Sequence, residues 1–482
     1  MGPHNPVRQT SSAAVEIGLA SGMRQVAELA VPVVLTSATT VVLGVTDTAL
    51  LGHYGTEALG AAALVMPLWI FCTALVVPFG SATQLLVARW YGAGDTEAIG
   101  ALLRAGLLSS ALIGAAVALV AAAAAPAVVV YTAAAGLDRG EATVMLWILL
   151  CGLPFNAVTA HLRGALAGTG DTRAGARNAV EVAVVNLILS AILIFPADLG
   201  PVGSALGSTL ALAAGTATLI AATRSVAEIR RPLLAPDRKG LRAWRRLAVP
   251  DVVFGMVSYG GDAVVAAVVA GAGAVNLAAH RAMGTAISLV WMFVFGIGTA
   301  ISVLAGQRLG AADPTGYRAV VRAGTVLVLV TSCTMSLCLA AASPLMFGLF
   351  SGDPAVTAAA RSVAWALPLL APIMAIGTVY AAELRAAGDT KGVMYASLFS
   401  VTAVTLPAVW AFTAVADWGA RRRVLGHRGG MGRPYRGHLA SAHLPSLFWT
   451  HILITRTLTA AKNGRRITLT ALLCCEILSA TR

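Results

Sequence analysis

A single carboxylate, Asp47, lies deep inside the long apolar stretch 25–51 and is the residue best suited to chemistry. A charged side chain in hydrocarbon costs about 3 kcal/mol or more, so an acid in such a place is a functional candidate. Burial favours the protonated acid, whereas a nearby cation favours the carboxylate. Asp47 can therefore hold a proton or attract an organic cation, and this competition is the chemistry of antiport. The alternative is a structural Asp hydrogen-bonded to Thr46 or Thr48.

Two short segments carry the Gly-x-Gly-Asp pattern of intramembrane aspartyl proteases. They are residues 92–95 and 168–171, which end in Asp95 and Asp171. A protease needs both Asp side chains facing each other in hydrocarbon, whereas these segments lie beside Arg at the ends of apolar stretches. Gly-rich boundaries are more typical of turns, and we interpret both segments as loops. The sequence contains no HExxH, GxSxG or P-loop pattern, which argues against a hydrolase or an ATP-driven pump.

The composition is that of an integral membrane protein. Of 482 residues, 58% are hydrophobic and only 11% are charged, and the mean hydropathy is +0.81. Soluble domains carry about 25% charged residues, so this chain lacks the charge to cover an ordinary water-exposed surface. Residues 419–482 hold 11 Lys/Arg and one acid, whereas residues 1–418 hold 23 Lys/Arg and 20 acids. The net charge of +13 thus belongs mostly to the tail and does not indicate a nucleic-acid partner.

Eleven apolar stretches are each long enough to cross the roughly 30 Å hydrocarbon core of a bilayer. They lie at 25–51, 58–88, 98–124, 142–166, 178–197, 200–223, 247–270, 277–305, 319–342, 356–382 and 393–415. Cytoplasmic loops are enriched in Lys and Arg. With the N-terminus inside, only Arg139, Arg281 and Arg361 of the 23 basic residues before residue 419 fall on the outer side. We therefore predict a multi-pass plasma-membrane protein with a cytoplasmic N-terminus.

An internal repeat relates the two halves of the chain at a constant offset of 218 residues. Residues 29–32 (Leu-Ala-Val-Pro) align with 247–250, and Gly, Pro, Trp and Asp recur at the same offset, as in Pro154 with Pro372. Six spans per half is an even number, so both halves enter the membrane from the same side. We predict an all-α integral membrane protein with two six-helix lobes as a parallel internal repeat. The predicted parts are a tail 1–23, an N-lobe 24–223 with helices one to six, a basic cytoplasmic link 224–246, a C-lobe 247–418 with helices seven to eleven, and a tail 419–482.

The run from Glu28 to Leu64 resembles the first helix and loop of multidrug and toxic compound extrusion (MATE) transporters, with Pro32 and Asp47 fifteen residues apart as in that family. Residues 277–280 (Leu-Ala-Ala-His), 92–95 and 384–390 (Leu-Arg-Ala-Ala-Gly-Asp-Thr) also match. The resemblance covers residues 24–418 and is closest to the DNA-damage-inducible F branch. It implies two six-helix lobes, a central cleft, and export of organic cations in exchange for H⁺ or Na⁺.

The resemblance also assigns roles to residues near Asp47. Asn186 lies where the family carries an Asn in helix five, and Asn156 in helix four is a partner for the same polar network. The family often has a second Asp four residues after that Asn, but here the position is Ser190. Because a Na⁺ cage needs several oxygen ligands, this departure favours H⁺ as the coupling ion. Pro32 is expected to bend helix one, and the alternative for Asn186 is an interhelical hydrogen bond with no transport role.

Two further charges lie in the outer half of the C-lobe. Asp262 in helix seven precedes the repeat mate of Asp47 by three residues, and Arg281 lies near the start of helix eight, where the family usually shows Gln. Either charge alone is costly in hydrocarbon. We therefore expect a compensating Asp262–Arg281 pair, and the alternative is a second ion site.

These features together predict a secondary transporter rather than an enzyme. The predicted function is multidrug efflux by cation antiport, with alternating access between the lobes and Asp47 as the proton or cation switch. The expected partners are small amphipathic organic cations and the lipid bilayer, and the chain is expected to be a monomer. No cofactor or metal site is expected, since the six Cys have no Cys-x-x-Cys spacing. The alternatives are a flippase for lipid-linked precursors, which needs a basic central cleft for phosphates, and a dedicated exporter of a secreted metabolite.

The repeat places a twelfth helix near 418–441, but that window is rich in Arg. It contains Arg421, Arg422, Arg423, Arg428, Arg433 and Arg436. At about 3 kcal/mol for each central Arg, such a segment cannot span a bilayer. The later apolar runs, 444–454 and 467–480, are too short. We predict that the twelfth helix is missing and that the reading frame shifts near residue 419. The alternative is a genuine basic cytoplasmic extension, and resequencing of the gene distinguishes the two.

Overall fold

The computed structural model describes residues 18–132, 138–223, 238–271, 274–350, 354–407 and 409–410, and all regular structure in these ranges is helical. In chain order the helices are α1 (Leu19–Tyr54), α2 (Thr56–Ala93), α3 (Thr96–Thr132), α4 (Arg139–Leu150), α5 (Leu153–Thr169), α6 (Thr172–Ile194), α7 (Gly200–Thr223), α8 (Arg238–Gly271), α9 (Ala274–Gly310), α10 (Pro314–Ala341), α11 (Ser343–Phe350), α12 (Pro354–Ala364), α13 (Leu367–Ala386) and α14 (Thr390–Phe399). α14 continues into a π-helical segment, Ser400–Thr405. The all-α class agrees with the prediction from the sequence.

Ten helical segments within the described ranges are long and apolar enough to cross a membrane, and they correspond to the first ten predicted spans. α4 and α5 form one such segment, interrupted at Cys151–Gly152. The predicted span 356–382 is divided between α12 and α13. The eleventh predicted span, 393–415, lies partly in α14 and leaves the described residues after 410. The window of the twelfth helix and the tail 419–482, with the predicted frame shift, lie outside the described residues.

Four Asp residues cap helices at one end of the helical bundle. This end carries the turns at 94–95, 170–171, 311–313 and 387–389, and we call it the basic end. The side chains of Asp95, Asp171, Asp313 and Asp389 accept the backbone N–H of Ala98, Ala174, Gly316 and Gly392 at 2.8–3.0 Å. These contacts satisfy donors that a helix N-terminus leaves without a partner. The four caps form two pairs related by the 218-residue offset. Both Gly-x-Gly-Asp segments are therefore turns, as predicted.

The first helix of each half packs its basic-end portion into the other half. In α1, Val26 and Ala30 are buried in a core formed with α9, α10 and α13. Their repeat mates in α8, Trp244 and Ala248, are buried in a core formed with α2, α3, α5 and α7. Towards the other end of the bundle each helix stays with its own half, as Leu51 of α1 does. The halves are thus interlocked at the basic end.

α8 begins at Arg238, nine residues before the predicted start of helix seven, so the end of the predicted basic link is helical. The physical reason is the burial of Trp244, whose indole N–H donates to the Phe79 carbonyl and to Thr83 Oγ1, both at 2.9 Å. A buried indole N–H needs such acceptors. α8 must therefore extend far enough towards the basic end for the indole ring of Trp244 to pack inside the first half. The rest of the link, 224–237, lies outside the described residues.

Candidate functional site

A cavity of about 440 Å³, called here the N-lobe cavity, lies inside the first half of the chain. Side chains from α1, α2, α4, α5, α6 and α7 line it. Three residues singled out from the sequence, Asp47, Asn156 and Asn186, are among them. The tertiary structure therefore gathers side chains from three separate helices around one space.

Asp47 is only 6% exposed, and its Oδ1 has no hydrogen-bond donor within the described part of the chain. The hydroxyls of Thr46 and Thr48 donate to the carbonyls of Leu43 and Gly44 at 2.9 and 2.7 Å. Both Thr hydroxyls donate within α1 rather than to Asp47. The alternative of a structural Asp hydrogen-bonded to Thr46 or Thr48 is therefore not seen here. A buried acceptor without a donor is costly. A proton, a cation or water therefore has an energetic reason to bind at Asp47.

Asn186 is 1% exposed and lies on α6, which corresponds to predicted helix five. Its amide N–H donates to Ser208 Oγ of α7 at 2.8 Å, whereas its Oδ1 has no donor among the described residues. The interhelical hydrogen bond considered from the sequence is thus present, but it uses only the amide nitrogen. Asn156 is half-buried in the cavity wall. The cavity therefore brings together two oxygen acceptors, on Asp47 and Asn186, that lack donors among the described residues.

Ser190 and Pro32 lie apart from this arrangement. Ser190 is fully buried where α6 meets α7, and a Cβ added at Gly207 would come within 2.5 Å of its Oγ. It is not one of the residues that line the N-lobe cavity. Pro32 lies inside α1, which is helical without interruption from Leu19 to Tyr54. The expected bend at Pro32 stays a prediction.

Asp262 and Arg281 are not brought together as a pair in this structure. The described residues form three ion pairs, Arg24–Glu28, Arg308–Asp313 and Arg385–Asp251. Asp262 and Arg281 are both exposed side chains on α8 and α9. The packing of α8 and α9 places the two side chains apart, so they form no ion pair. The expected pair is therefore absent from this conformation.

A second cavity, of about 320 Å³, lies between the two halves and is called here the inter-lobe cleft. Its charged lining residues are Arg163 of α5 and Arg385 of α13. Arg163 donates from Nε and Nη2 to Asn178 Oδ1 at 3.0 and 2.8 Å, and Arg385 pairs with Asp251 at 3.4 Å. Arg163 lines the N-lobe cavity as well, so the two spaces adjoin.

Arg163 and Arg385 line the cleft but are not predicted from the sequence as site residues. Long basic side chains towards the end of a span commonly reach the membrane interface, and their position alone suggested nothing more. The available signal was that Arg163 lies inside the predicted span 142–166, where a cation needs a partner. Its partner, Asn178, and that of Arg385, Asp251, come from other helices, which only the packing reveals.

A family profile described as MatE matches residues 32–192 and 252–410. The chain belongs to the MATE family. The two matched segments correspond to the two halves of the repeat, so this MATE transporter contains the family unit twice, as the 218-residue offset predicts. The chain is accordingly a multi-pass membrane protein of two repeated halves.

Related proteins include the probable multidrug resistance protein NorM of Thermotoga maritima, which is 24% identical over 80% of this chain and 85% of its own length. Multidrug resistance protein PmpM of Pseudomonas aeruginosa is 24% identical over 82% of this chain and 85% of its own length. A solved MOP superfamily transporter from Pyrococcus furiosus matches with a TM-score of 0.79 at 17% identity, covering 92% of this chain and 97% of that one. These findings confirm the MATE family and fold, while the DNA-damage-inducible F branch stays a prediction.

Proposed function

We propose that this MATE transporter exports small amphipathic organic cations in exchange for protons, with Asp47 as the switch. The observation that carries the proposal is a buried carboxylate oxygen that has no donor in the described part of the chain, in a cavity that Asn156 and Asn186 also line. The multidrug-resistance names of the NorM and PmpM relatives support efflux of drug-like molecules. We therefore propose that the substrates are drug-like cations and that the protein transports them as a monomer.

The competition between proton and cation at Asp47 supplies the coupling. In a space of low dielectric, an ionised carboxylate attracts a cation far more strongly than it would in water. Protonation removes the charge and with it most of the attraction. A proton arriving from one side of the membrane therefore releases a bound cation, and departure of the proton restores the binding site.

Proton coupling fits the available oxygens better than Na⁺ coupling does. A Na⁺ cage needs several oxygen ligands that are not already engaged. Asp47 and Asn186 each offer one acceptor for which the described residues supply no donor, and Ser190 lies outside the cavity lining. A proton needs only one such acceptor, so we assign H⁺ as the coupling ion.

We also propose that the protein lies in the plasma membrane and that the basic end of the bundle faces the cytoplasm. The N-terminus then lies inside, and the distribution of Lys and Arg supports this orientation. The working lobes are residues 24–223 and 247–418, joined by the cytoplasmic link. Assignment to the DNA-damage-inducible F branch rests on the sequence resemblance.

Efflux by the Asp47→Asn variant tests the switch. The amide keeps the size of the side chain but can neither carry the charge nor titrate, so we expect efflux of ethidium to fall to background. Glu57→Gln is the matched control, because Glu57 is an exposed carboxylate at the start of α2, and its efflux is expected to equal wild type. Wild-type efflux by Asp47→Asn at equal membrane expression would overturn the proposal.

Proteoliposomes with imposed gradients test the coupling ion. An inward-directed proton gradient should drive ethidium out of vesicles that contain the wild-type protein, and Asp47→Asn should abolish this response. A Na⁺ gradient without a pH difference should have no effect. Movement driven by Na⁺ alone would show that the assignment of H⁺ is wrong.

A second candidate function, transport of a phosphate-bearing lipid-linked precursor, is favoured by the two Arg side chains in the inter-lobe cleft. Arg163 has an Asn rather than a carboxylate as its partner, so its positive charge is available to an anion. Replacing Arg163 by Gln should abolish transport of such an anion while ethidium efflux persists. Loss of ethidium efflux alone, with no anionic substrate found, would leave the antiporter as the sole function.

A further inference from the structure

Two reciprocal hydrogen bonds join the halves at the basic end. Arg89 of α2 donates from Nε to the carbonyl oxygen of Ala386 at 2.8 Å, and Gln307 of α9 donates from Nε2 to the carbonyl oxygen of Gly168 at 2.9 Å. Gln307 is the repeat mate of Arg89, and Ala386 is the repeat mate of Gly168, both at the offset of 218 residues. The same contact is therefore made twice, once from each half to the other.

Both acceptors lie at the C-terminal ends of helices, α5 for Gly168 and α13 for Ala386. The last carbonyls of a helix have no partner within it, and they carry the negative end of the helix dipole. The turns that follow satisfy neighbouring carbonyls, as in the bonds from Gly170 to Ala167 and from Gly388 to Arg385, but these bonds do not use Gly168 or Ala386. Each half thus completes the capping of a helix in the other half.

Two glycines allow the close approach that these bonds require. A Cβ added at Gly92 would collide with the carbonyl oxygen of Gln307, and one at Gly310 would collide with that of Arg89. Gly92 and Gly310 are again repeat mates. α2 and α9 therefore touch backbone to backbone at the basic end, and any side chain at either position would separate them.

We propose that Arg89 and Gln307, with Gly92 and Gly310, form a releasable latch that closes the inter-lobe cleft at the basic end, and that opening this latch is the step that admits substrate from that side. The inference rests on the proposed transport function for its purpose. Arg89 and Gln307 act as positioning residues, because they set which side of the membrane the cleft faces.

The position and chemistry of the latch fit this role. On α2 the last residue of the cleft lining is Leu85. Arg89 lies four residues further along the helix, about 6 Å closer to the basic end. On α9 the lining ends at Ser302, and Gln307 follows in the same direction. Both latch side chains are only half-buried, so water can replace the protein acceptors when the halves part. A net hydrogen bond of this kind is worth little, which suits a contact made and broken in each cycle.

Spin-label distances across the latch test the proposal. Arg173 and Lys391 are exposed repeat mates in the first turns of α6 and α14, next to the capped ends. Labels on Arg173→Cys and Lys391→Cys, in a background with the six native Cys changed to Ser, report the separation of the halves at the basic end. Wild type is expected to give mainly a short distance. Gln307→Ala should raise the ratio of long to short distances about fivefold and Arg89→Ala by more than about tenfold, as expected for a neutral and a charged donor.

Conservative variants separate the latch from general damage to the fold. Arg89→Gln copies its repeat mate and should keep the short distance, whereas the isosteric Gln307→Glu loses its donor and should not. Gly310→Ala should favour the long distance, while Gly284→Ala, on the same helix with open space around it, should not. Arg177→Gln, an exposed Arg at the same end, should match wild type.

An unchanged distance distribution in a monodisperse triple variant, Arg89→Ala with Gln307→Ala and Gly310→Ala, overturns the latch. If the triple variant aggregates, the latch is also overturned when the distance distribution of Gln307→Glu equals that of wild type. The measurement involves neither substrate nor Asp47, so failure of the transport proposal leaves its outcome unaffected. Normal efflux together with unchanged distances would reject the latch alone.

Discussion

At the scale of single residues, two Asp side chains show how the available donors decide what a carboxylate does. Asp47 has a carboxylate oxygen in the N-lobe cavity to which no group in the described ranges donates. Asp313, in a turn at the basic end, accepts the Gly316 N–H and the Thr315 hydroxyl, both at 2.8 Å. These hydrogen bonds, helped by Arg308, hold the pKa of Asp313 below its ordinary value. The first side chain keeps a free acceptor, which the proposed switch needs, and the second is fixed as a helix cap.

The cap predicts the effect of replacing Asp313. Asp313→Ala should lower the free energy of unfolding by about 1 kcal/mol, because α10 loses its N-cap. Since the folded-state pKa lies below the unfolded one, the electrostatic part of this stability is complete above the usual Asp pKa of about 4 and is lost as the pH falls through the folded-state value. Thermal unfolding in detergent across this pH range measures both effects. Asp313→Asn should keep the cap without this acid dependence, and an acid dependence equal to wild type would assign the titration to other groups.

At the scale of helices, the basic-end portions of α1 and α8 belong to the hydrophobic cores of the opposite halves. The rings of Trp244 and Phe79 lie with their centroids 5.0 Å apart, and His161 makes an edge contact with Trp244 at 5.9 Å. Trp244 is fully buried in this aromatic cluster. α8 is therefore anchored in the first half through one large side chain.

This anchor makes Trp244 a sensitive position for stability. Trp244→Ala should lower the free energy of unfolding by about 4 kcal/mol, because it leaves a cavity and removes two hydrogen bonds. Trp244→Phe should cost less, since the ring contacts are retained while the N–H is lost. Trp291→Ala on α9, where the side chain is 44% exposed, should change stability by less than about 0.5 kcal/mol. Chemical denaturation of the purified variants measures the series, and equal losses for Trp244→Ala and Trp291→Ala would contradict the anchor.

At the scale of the whole molecule, the two halves are related by the repeat and are interlocked at the basic end. The shared cores and the reciprocal hydrogen bonds both lie at the basic end, whereas the N-lobe cavity extends away from it. Contacts of this kind hold the halves together at the basic end. Under the proposed transport function, alternating access requires the two halves to change their relative orientation.

The interlock predicts that the halves stay together without a covalent link. A protease site inserted between residues 224 and 237 should, after cleavage, yield two fragments that co-elute in mild detergent. The physical reason is that each half buries part of a helix from the other. Trp244→Ala in the same cleaved protein should release the fragments more readily. Separate elution of the cleaved wild-type halves would show that the shared cores are too weak to hold them.

The sequence by itself determined the features that are linear along the chain. The apolar stretches fixed the first ten spans, the 218-residue offset revealed the two halves, and the motifs from Glu28 to Leu64 indicated the family. Asp47 could be singled out as a candidate functional residue because a carboxylate inside a membrane span is costly whatever surrounds it. The turns ending in Asp95 and Asp171 were identifiable because capping acts over three residues.

Only the tertiary structure decided which side chains meet. It left Asp262 and Arg281 unpaired, kept Ser190 out of the cavity lining, and brought Arg163 to the cleft. Arg89 and Ala386 are 297 residues apart in sequence yet form one hydrogen bond. Such contacts depend on the rotation and crossing of whole helices, which are set by side-chain packing between distant segments. Hydropathy fixes that a helix spans the membrane, but it does not fix which neighbour each face of the helix touches.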